Sequence, residues 1–410
     1  MKLIHIKFIC IDIILLLLPA ALSANEFSLV TSFQNSLAGV NDNEPAYNLK
    51  VDLWPSLFLL IGEESSFTAS AGLTLGMEDG FYFIPEILQT YFSFRFGISG
   101  IKVGRFTYSD PLSYVTNGLF DGVQFFSSGN AGRFNIGAWY TGSLYKKNAN
   151  ITMTDDDLAV FDKPVDYNDF FNTYFAPARV FGAIGWEHPS IGEFFHLNTA
   201  IIGQYDLTDS ETQYHSQYFI IKASIPKSEF LIELGGCVSL SQTIEDENKF
   251  GVSFAGEAGF SWLLPTNFIS RLSFTAKYAS GKMEDSYEAF IPITTQYVGN
   301  LLEYKFSGIS VLTLNYTARF AESLGAAIYA SYFMRNDLGT IQSYPASLNS
   351  GGAAEGYFLG PETYLRMVWS PLSDLQFNIG GGAFFPSLGN AGRDEPIRWK
   401  ADIKVIIAIL

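Results

Sequence analysis

Hydrophobic and polar residues alternate with a period of two along most of the chain. In one clear example, Leu272, Phe274, Ala276 and Tyr278 alternate with Arg271, Ser273, Thr275 and Lys277. A two-residue period is typical of a β-strand with one apolar face and one polar face. The pattern leaves two possibilities open, because a soluble protein turns its apolar face inward and a membrane barrel turns it outward.

Segments with this period recur about eighteen times, which predicts an all-β fold. The predicted strands are 27–36, 46–54, 66–76, 88–97, 99–107, 121–128, 132–143, 178–187, 193–205, 213–225, 229–240, 250–263, 268–280, 304–320, 323–335, 357–370, 374–385 and 396–410.

Short and long connections alternate between these segments. The long ones include 108–120, 144–177, 281–303 and 336–356, whereas most others are short turns. A short turn is also expected at 55–65, where the sequence is PSLFLLIGEES, and the pattern gives no account of it. Membrane barrels have short turns at one end and long loops at the other, whereas a sandwich or a propeller gives no reason for this alternation. We therefore predict a transmembrane, up-and-down antiparallel β-barrel of about 16–18 strands.

Basic residues occupy the polar face of the later strands. They are Arg271, Lys277, Arg319, Arg335, Arg366, Arg398, Lys400 and Lys404. Charges of this kind are expensive to bury in a dry core, but a barrel of sixteen or more strands encloses water. We predict that these residues form the lumen wall and that the apolar rows face lipid. The alternative is two sheets around an apolar core, with the polar rows in water.

Four tryptophans lie where a predicted strand meets a predicted short turn: Trp54, Trp186, Trp262 and Trp369. Tryptophan favours the bilayer interface because its ring is apolar and its N–H group needs a polar partner. We therefore predict an aromatic girdle at the periplasmic end of the barrel.

The first 24 residues have the layout of a secretory signal peptide. Lys2 and Lys7 precede an apolar run from Phe8 to Leu18, and small residues follow near Ala24. The run is short for a membrane anchor, which needs about 20 apolar residues. We predict a signal peptide over 1–24 and a single barrel over 25–410.

Composition excludes some classes of protein. Removing Lys2, Lys7 and Asp12 with the leader takes the chain from 25 basic and 41 acidic residues to 23 and 40, a net charge of −17, which argues against a nucleic-acid partner. Of the two cysteines, Cys237 alone remains after the leader, so no internal disulfide is expected.

Taken together, the alternating strands, the turn rhythm and the terminal strand IRWKADIKVIIAIL resemble a bacterial outer-membrane porin. A narrower similarity to porin-like and alginate-exporter-like barrels lies in KVGRFTYSDPLSYVTNGLFDGVQF, residues 102–125. This resemblance implies an outer-membrane location and makes Arg105, Asp110 and Asp121 candidate functional residues. The chain ends at Leu410 rather than on the aromatic residue common in such proteins.

In porins one long loop folds into the lumen, and the resemblance gives this role to 144–177. We hypothesise a pore constriction with acids on the loop and arginines on the wall, which would orient polar solutes. The acids are Asp155, Asp156, Asp157, Asp162, Asp166 and Asp169, and the arginines are Arg95, Arg105, Arg133 and Arg179. The alternative is a mobile lid at the surface.

The function expected from these observations is passive diffusion of small polar solutes through a channel whose basic lining favours anions. The alternatives are a specific channel for a polyanion or a hydrophobic molecule, and a surface adhesin. The sequence shows no catalytic, cofactor-binding or metal-binding pattern, so we expect no enzyme activity and no cofactor. Expected partners are membrane lipids and small solutes. General porins often form trimers, which makes a homotrimer one expectation.

Overall fold

The computed structural model describes residues 26–40, 45–77, 80–192, 194–245, 248–283, 288–337, 356–391 and 395–409. The predicted signal peptide and nearly all of the predicted loop 336–356 lie outside these ranges.

Eighteen long strands form one closed antiparallel sheet, in which each strand pairs with its neighbours in the chain and β1 pairs with the last strand, β20. This confirms the up-and-down barrel and fixes the strand number at the upper value of the predicted range. The barrel strands are β1 (Glu26–Val40), β2 (Ala46–Ile61), β3 (Ser65–Met77), β4 (Phe81–Phe96), β5 (Ser99–Ser109), β6 (Asn117–Gly129), β7 (Gly132–Tyr140), β8 (Arg179–Ile191), β9 (Phe195–Asp206), β10 (Gln213–Pro226), β11 (Phe230–Ile244), β12 (Asn248–Leu264), β13 (Ile269–Ala279), β16 (Ile309–Ala321), β17 (Leu324–Arg335), β18 (Phe358–Leu372), β19 (Leu375–Phe384) and β20 (Arg398–Ile409). Two short strands, β14 (Tyr297–Val298) and β15 (Tyr304–Lys305), pair within the connection from β13 to β16.

The irregular segment 55–65 continues β2 instead of turning. The strand passes through Pro55 to Ile61, and the short turn follows at 62–64, where Gly62 has a φ of 72°. Proline has no backbone N–H and so cannot donate a ladder bond, and the β2–β3 pairing is interrupted between Leu53 and Ser56. Proline therefore marks a gap in one ladder and does not end the strand.

Helical structure within the described residues is confined to connections. Three helices, Lys146–Ala149, Asp155–Asp162 and Phe170–Tyr174, lie between β7 and β8, and a 3-10 turn spans Pro386–Leu388. The Asp155–Asp162 helix begins with a capping box, in which Thr154 and Asp157 exchange side-chain to backbone hydrogen bonds. None of the described helices is long and apolar enough to cross a membrane.

Buried apolar side chains gather near the end of the barrel that carries the long connections. We name three of these connections loop L3 (110–116), loop L4 (141–178) and loop L7 (280–308). Strand residues such as Phe106, Phe181 and Phe333 pack in one cluster with loop residues such as Val115 and Phe290. The loops and the inner face of the strands therefore form a packed apolar core at this end of the barrel. This packing fixes the positions of the loops.

Gly104 in β5 has a φ of 124°, and a Cβ atom there would lie 2.2 Å from the carbonyl oxygen of Thr90 on β4. Both the backbone conformation and the space exclude a side chain. We expect Gly104→Ala to destabilise the barrel by about 1–3 kcal/mol, measured by denaturant unfolding in detergent. Gly236→Ala is the matched control, because no atom lies within 4 Å of a Cβ placed at that position. Equal losses in the two variants would contradict the expectation.

Candidate functional site

Contacts made by loop L3 show which face of the sheet is inside the barrel. The Tyr114 hydroxyl donates a hydrogen bond to the carboxylate of Glu257 on β12, and the Nζ atom of Lys277 on β13 lies 4.9 Å from the Tyr114 ring centroid. Because L3 joins β5 to β6, it reaches these strands only across the interior. The rows containing Glu257 and Lys277 therefore face the lumen, and the alternate rows face outward.

The outward rows are apolar and exposed. Phe254, Phe260, Phe274 and Leu314 are 40%, 45%, 46% and 48% exposed, respectively. Such an apolar outer band around a polar interior is the pattern of a membrane barrel.

Loop L3 is held in shape by the Asp110 carboxylate. Its oxygens accept hydrogen bonds from the backbone N–H groups of Leu112, Val115 and Thr116, each at 2.8 Å. Burial raises the pKa of Asp110, although these donors act in the opposite direction. At the tip of the loop, Leu112 occupies the space that a side chain at Gly235 of β11 would need. L3 is thus a fixed obstruction across part of the lumen.

Loop L7 is held by a carboxylate from the wall. Glu362 on β18 is 1% exposed and accepts hydrogen bonds from the N–H groups of Asn300, Leu301 and Leu302, at 2.7, 3.1 and 3.2 Å. Because Glu362 lies on the lumenal row, this turn of L7 lies inside the barrel. The backbone N–H of Thr294 on the same loop donates to the carbonyl of Val115, which joins L7 to L3.

Loop L4 completes this group of loops and supplies one ion pair of the predicted kind. Arg179, at the start of β8, forms ion pairs with two carboxylates. Its Nη2 atom lies 2.6 Å from Oδ2 of Asp157, and its Nη1 atom lies 2.9 Å from Oδ2 of Asp206 on β9. Arg179 and Asp206 are fully buried and Asp157 is 3% exposed, so the three groups hold L4 against the wall. Burial raises the pKa of Asp157, which Arg179 partly offsets.

The other arginines of the hypothesised constriction lie elsewhere. Arg95 and Arg133 are lumenal but lie next to short turns, at the end of the barrel opposite to L4. Arg105 lies on the outward row of β5 and pairs with Asp121, with its Nε at 2.8 Å from Oδ1 and its Nη2 at 2.7 Å from Oδ2. The four arginines are therefore spread over both ends and both faces of the wall.

The remaining acids of L4 do not meet a wall arginine in any ion pair of the described residues. Asp162 lies 4.0 Å from Lys147 of the same loop. Asp166 accepts a hydrogen bond from the N–H of Asn168, and Asp169 accepts one from the side chain of Asn172, so both bond within the loop. Asp155 and Asp156 lie in the exposed first turn of the helix Asp155–Asp162. The arrangement departs from a constriction of L4 acids facing wall arginines.

Basic side chains line the lumenal face from β18 to β2. Lys400 lies 3.6 Å from Glu303 of L7, and Arg398 lies 3.0 Å from Glu395. Within the described residues, Arg366 and Lys404 belong to no ion pair. Asp402 lies on the same lumenal row of β20 and accepts a hydrogen bond from the Tyr364 hydroxyl, and no described acid lies within 4 Å of Arg366 or Lys404.

The rest of the predicted lumen wall follows the same alternation. Arg271 and Arg319 project from lumenal rows close to the short turns, and both are exposed. Arg335 is 4% exposed and donates from Nε to the carbonyl of Gly356. On β10, Lys222 lies 3.2 Å from both Glu233 and Glu257, so its charge is compensated.

Three of the four tryptophans lie on outward rows near short turns. Trp262 and Trp369 are 41% and 44% exposed, and the indole N–H of Trp186 donates to the carbonyl of Ala131. Trp54 departs from this arrangement. It lies seven residues before the end of β2, on the lumenal row of Asp52, with Lys404 Nζ 5.5 Å from its ring centroid. Trp54 lies far from the short turn because β2 continues past Pro55, and it faces the lumen because it shares the two-residue alternation with Asp52.

Sequence reasoning missed the roles of L3 and L7. Length selected only L4 for the lumen. L4 does reach lumenal side chains, since its Asp157 pairs with Arg179, but L3 and L7 are shorter and were not selected. The apolar content of L7 could have indicated that this loop packs inside the barrel. Its sequence over 289–306 is AFIPITTQYVGNLLEYKF, and a loop exposed to water rarely contains so many apolar residues.

The described residues contain no group of three or more histidine, cysteine, aspartate or glutamate side chains placed to hold a metal ion.

Comparison with known proteins identifies the fold. No protein-family model and no curated protein matches the chain. Among solved structures, OccK2 (OpdF) of Pseudomonas aeruginosa matches with a TM-score of 0.61 at 12% identity, over 94% of this chain and 98% of that one. The outer membrane protein opdK of the same organism gives 0.57 at 8% identity, over 94% and 99%. OccK2 in complex with glucuronate gives 0.59 at 10%, over 94% and 96%. The chain thus has the fold of a porin-like outer-membrane β-barrel.

Proposed function

We propose that the protein is an outer-membrane channel for the passive diffusion of small polar solutes, with a preference for anions. The observation that carries this proposal is the lumenal wall from β18 to β2, where Arg366 and Lys404 lie in no ion pair and face an interior narrowed by L3 and L7. Selectivity follows the charge of the lining and not the net charge of the protein. Among the barrels of similar fold, OccK2 has been solved with glucuronate, which is an organic anion.

The proposal has three further parts, which concern export, catalysis and assembly. Export through a signal peptide over 1–24 would deliver the chain to the outer membrane, where its apolar outer rows would contact lipid. The solved structures of similar fold include the outer membrane protein opdK, which supports a role in the membrane other than that of an enzyme. A homotrimer is proposed by analogy with general porins, and chemical cross-linking in membranes would test it.

Conductance in planar bilayers is the first test. We expect defined single-channel steps and, in a salt gradient, a reversal potential of the sign given by anion selectivity. A protein that inserts but gives no conductance would contradict the channel and favour a surface adhesin. Liposome swelling with sugars of increasing size then separates a general pore from a selective one.

Removing the unpaired lumenal charges should lower anion selectivity. In the double variant Arg366→Gln and Lys404→Gln, we expect the anion-to-cation permeability ratio to fall severalfold, because the lining loses two positive charges that lie in no described ion pair. Lys249→Gln is the control, since Lys249 is 66% exposed and pairs with Glu245 where β11 joins β12, at the long-loop end of the barrel. An unchanged ratio in the double variant would show that other groups set the selectivity.

A further inference from the structure

The barrel wall is incomplete between β4 and β5. Their pairing runs from Phe96↔Ser99 to Thr90↔Arg105 and stops there, although β4 begins at Phe81 and β5 continues to Ser109. The break coincides with a register shift of β4 against β3 and with the positive φ of Gly104. Residues 81–89 of β4 therefore present a strand edge toward β5.

The position of Pro85 is consistent with an unpaired edge of β4. Proline has no backbone N–H to donate to a neighbouring strand, so within sheets it is found at edges. The backbone groups of Phe83, Pro85 and Ile87 that point toward β5 would face a gap in the wall. Unpaired groups of this kind are costly in lipid. The chain must satisfy them with something other than a strand.

Side chains form hydrogen bonds with the backbone groups along this edge of β4. The Tyr167 hydroxyl of L4 accepts a hydrogen bond from the N–H of Phe83 at 3.0 Å and donates to the carbonyl of the same residue. The Tyr174 hydroxyl donates to the carbonyl of Pro85 at 2.6 Å. Arg105 donates from Nη1 to the carbonyl of Ile87 at 2.8 Å. Two of these three side chains belong to loop L4, which contributes no strand to the barrel.

A cavity of about 250 Å³ lies at the same place. It is lined by Glu86, Thr107, Gly118, Leu119, Leu144, Asn148 and Ala149. Glu86 belongs to the lumenal row of β4, whereas Thr107 and Leu119 belong to outward rows, so the lining joins the two sides of the wall. Leu144, Asn148 and Ala149 come from L4, and the Asn148 side chain donates to Glu86. L4 thus covers the gap that the strands leave and lines one side of the cavity.

We propose that the β4–β5 gap is a lateral opening of the barrel, held closed by loop L4, through which the lumen communicates with the surrounding lipid when L4 moves. Its lining combines the apolar Leu119, Leu144 and Ala149 with the polar Glu86, Thr107 and Asn148, which suits a small amphipathic molecule that would leave the lumen sideways instead of along the barrel axis. This route goes beyond diffusion through the pore, since it depends on the gap and on L4 and not on the charge of the lumenal wall.

A nitroxide spin label at the gap tests the proposal in proteoliposomes. The label is attached through Glu86→Cys in a Cys237→Ala background, and its collisions with oxygen, which enters lipid, are compared with those with a water-soluble nickel chelate. We expect the double variant Tyr167→Phe and Tyr174→Phe to raise the oxygen-to-nickel accessibility ratio severalfold, because three hydrogen bonds that close the gap are lost. Tyr174→Phe alone removes one of them and should give an intermediate ratio.

A label at Thr275→Cys is the matched control, since Thr275 is on the lumenal row of β13 and pairs on both sides, with Gly259 and Thr313. Its ratio should stay low in every background. The proposal is overturned if the label at position 86 gives the same ratio as the label at 275 in the tyrosine variants. Single-channel conductance, recorded on the same samples, tests the proposed channel function separately.

Discussion

Replacing Glu362 by glutamine is expected to raise single-channel conductance, because it releases the turn of L7 that Glu362 holds inside the barrel. The carboxylate accepts three backbone N–H groups at 2.7–3.2 Å and is 1% exposed. Hydrogen bonds to a charged group contribute about 1.5–3 kcal/mol each. Glutamine keeps the shape but loses the charge and points an NH₂ group toward N–H donors. A freed turn would widen the lumen, and conductance recordings in planar bilayers measure this directly.

Glu303→Gln on the same loop is the control. Glu303 is 40% exposed and lies 3.6 Å from Lys400, an arrangement expected to contribute little to stability. Its conductance should remain close to that of the wild type. If Glu362→Gln and Glu303→Gln gave the same conductance, L7 would be held by its apolar contacts, such as Phe306 in the loop core, and the wall carboxylate would be dispensable.

The second large effect is expected at Arg179. Arg179→Met removes the cation shared by Asp157 and Asp206 and leaves two carboxylates buried without it. Breaking a buried ion pair by removing one partner costs about 3–5 kcal/mol. We therefore expect a loss of this size in the free energy of unfolding, measured with denaturant in detergent micelles. Release of L4 should accompany it, seen as faster proteolysis between residues 146 and 175.

Two further variants make this prediction specific. Arg133→Met changes an exposed arginine near a short turn and should alter stability by less than about 0.5 kcal/mol. Adding Asp157→Asn and Asp206→Asn to Arg179→Met removes the uncompensated charges and should restore part of the lost stability. Equal stability of the single and the triple variant would mean that the cost of Arg179→Met comes from packing.

Most of the fold could be predicted because each strand of a membrane barrel has one face toward lipid and one toward the lumen, and its sequence alternates accordingly. The alternation of apolar and polar residues at β12, β13, β16 and β20 fixes which side chains share a face, since the side-chain period is two. Closure then follows from the need to pair every strand edge in lipid. The pattern gave no account of 55–65, where a short turn is expected but β2 continues through Pro55 to Ile61.

The candidate site was less accessible to sequence reasoning. The lumenal row of Arg366, Lys400 and Lys404 followed from periodicity, which depends on local spacing alone. The contacts of L3 and L7 with the wall, such as Tyr114 with Glu257 and Leu302 with Glu362, join residues far apart in the chain. Nothing in local spacing indicates which distant strand a loop will meet. For the same reason Arg105 and Asp121 were identified as candidates, but their outward pairing was not.

The sequence by itself determined the strand faces, the alternation of turns and loops, and the basic character of the lumenal wall, because each depends on residues a few positions apart. Tertiary structure alone decided which loops enter the barrel, that Arg179 is buried between two acids, and that the wall is open beside Pro85. These features depend on how a closed sheet brings remote segments together and on which backbone groups are left for side chains to satisfy.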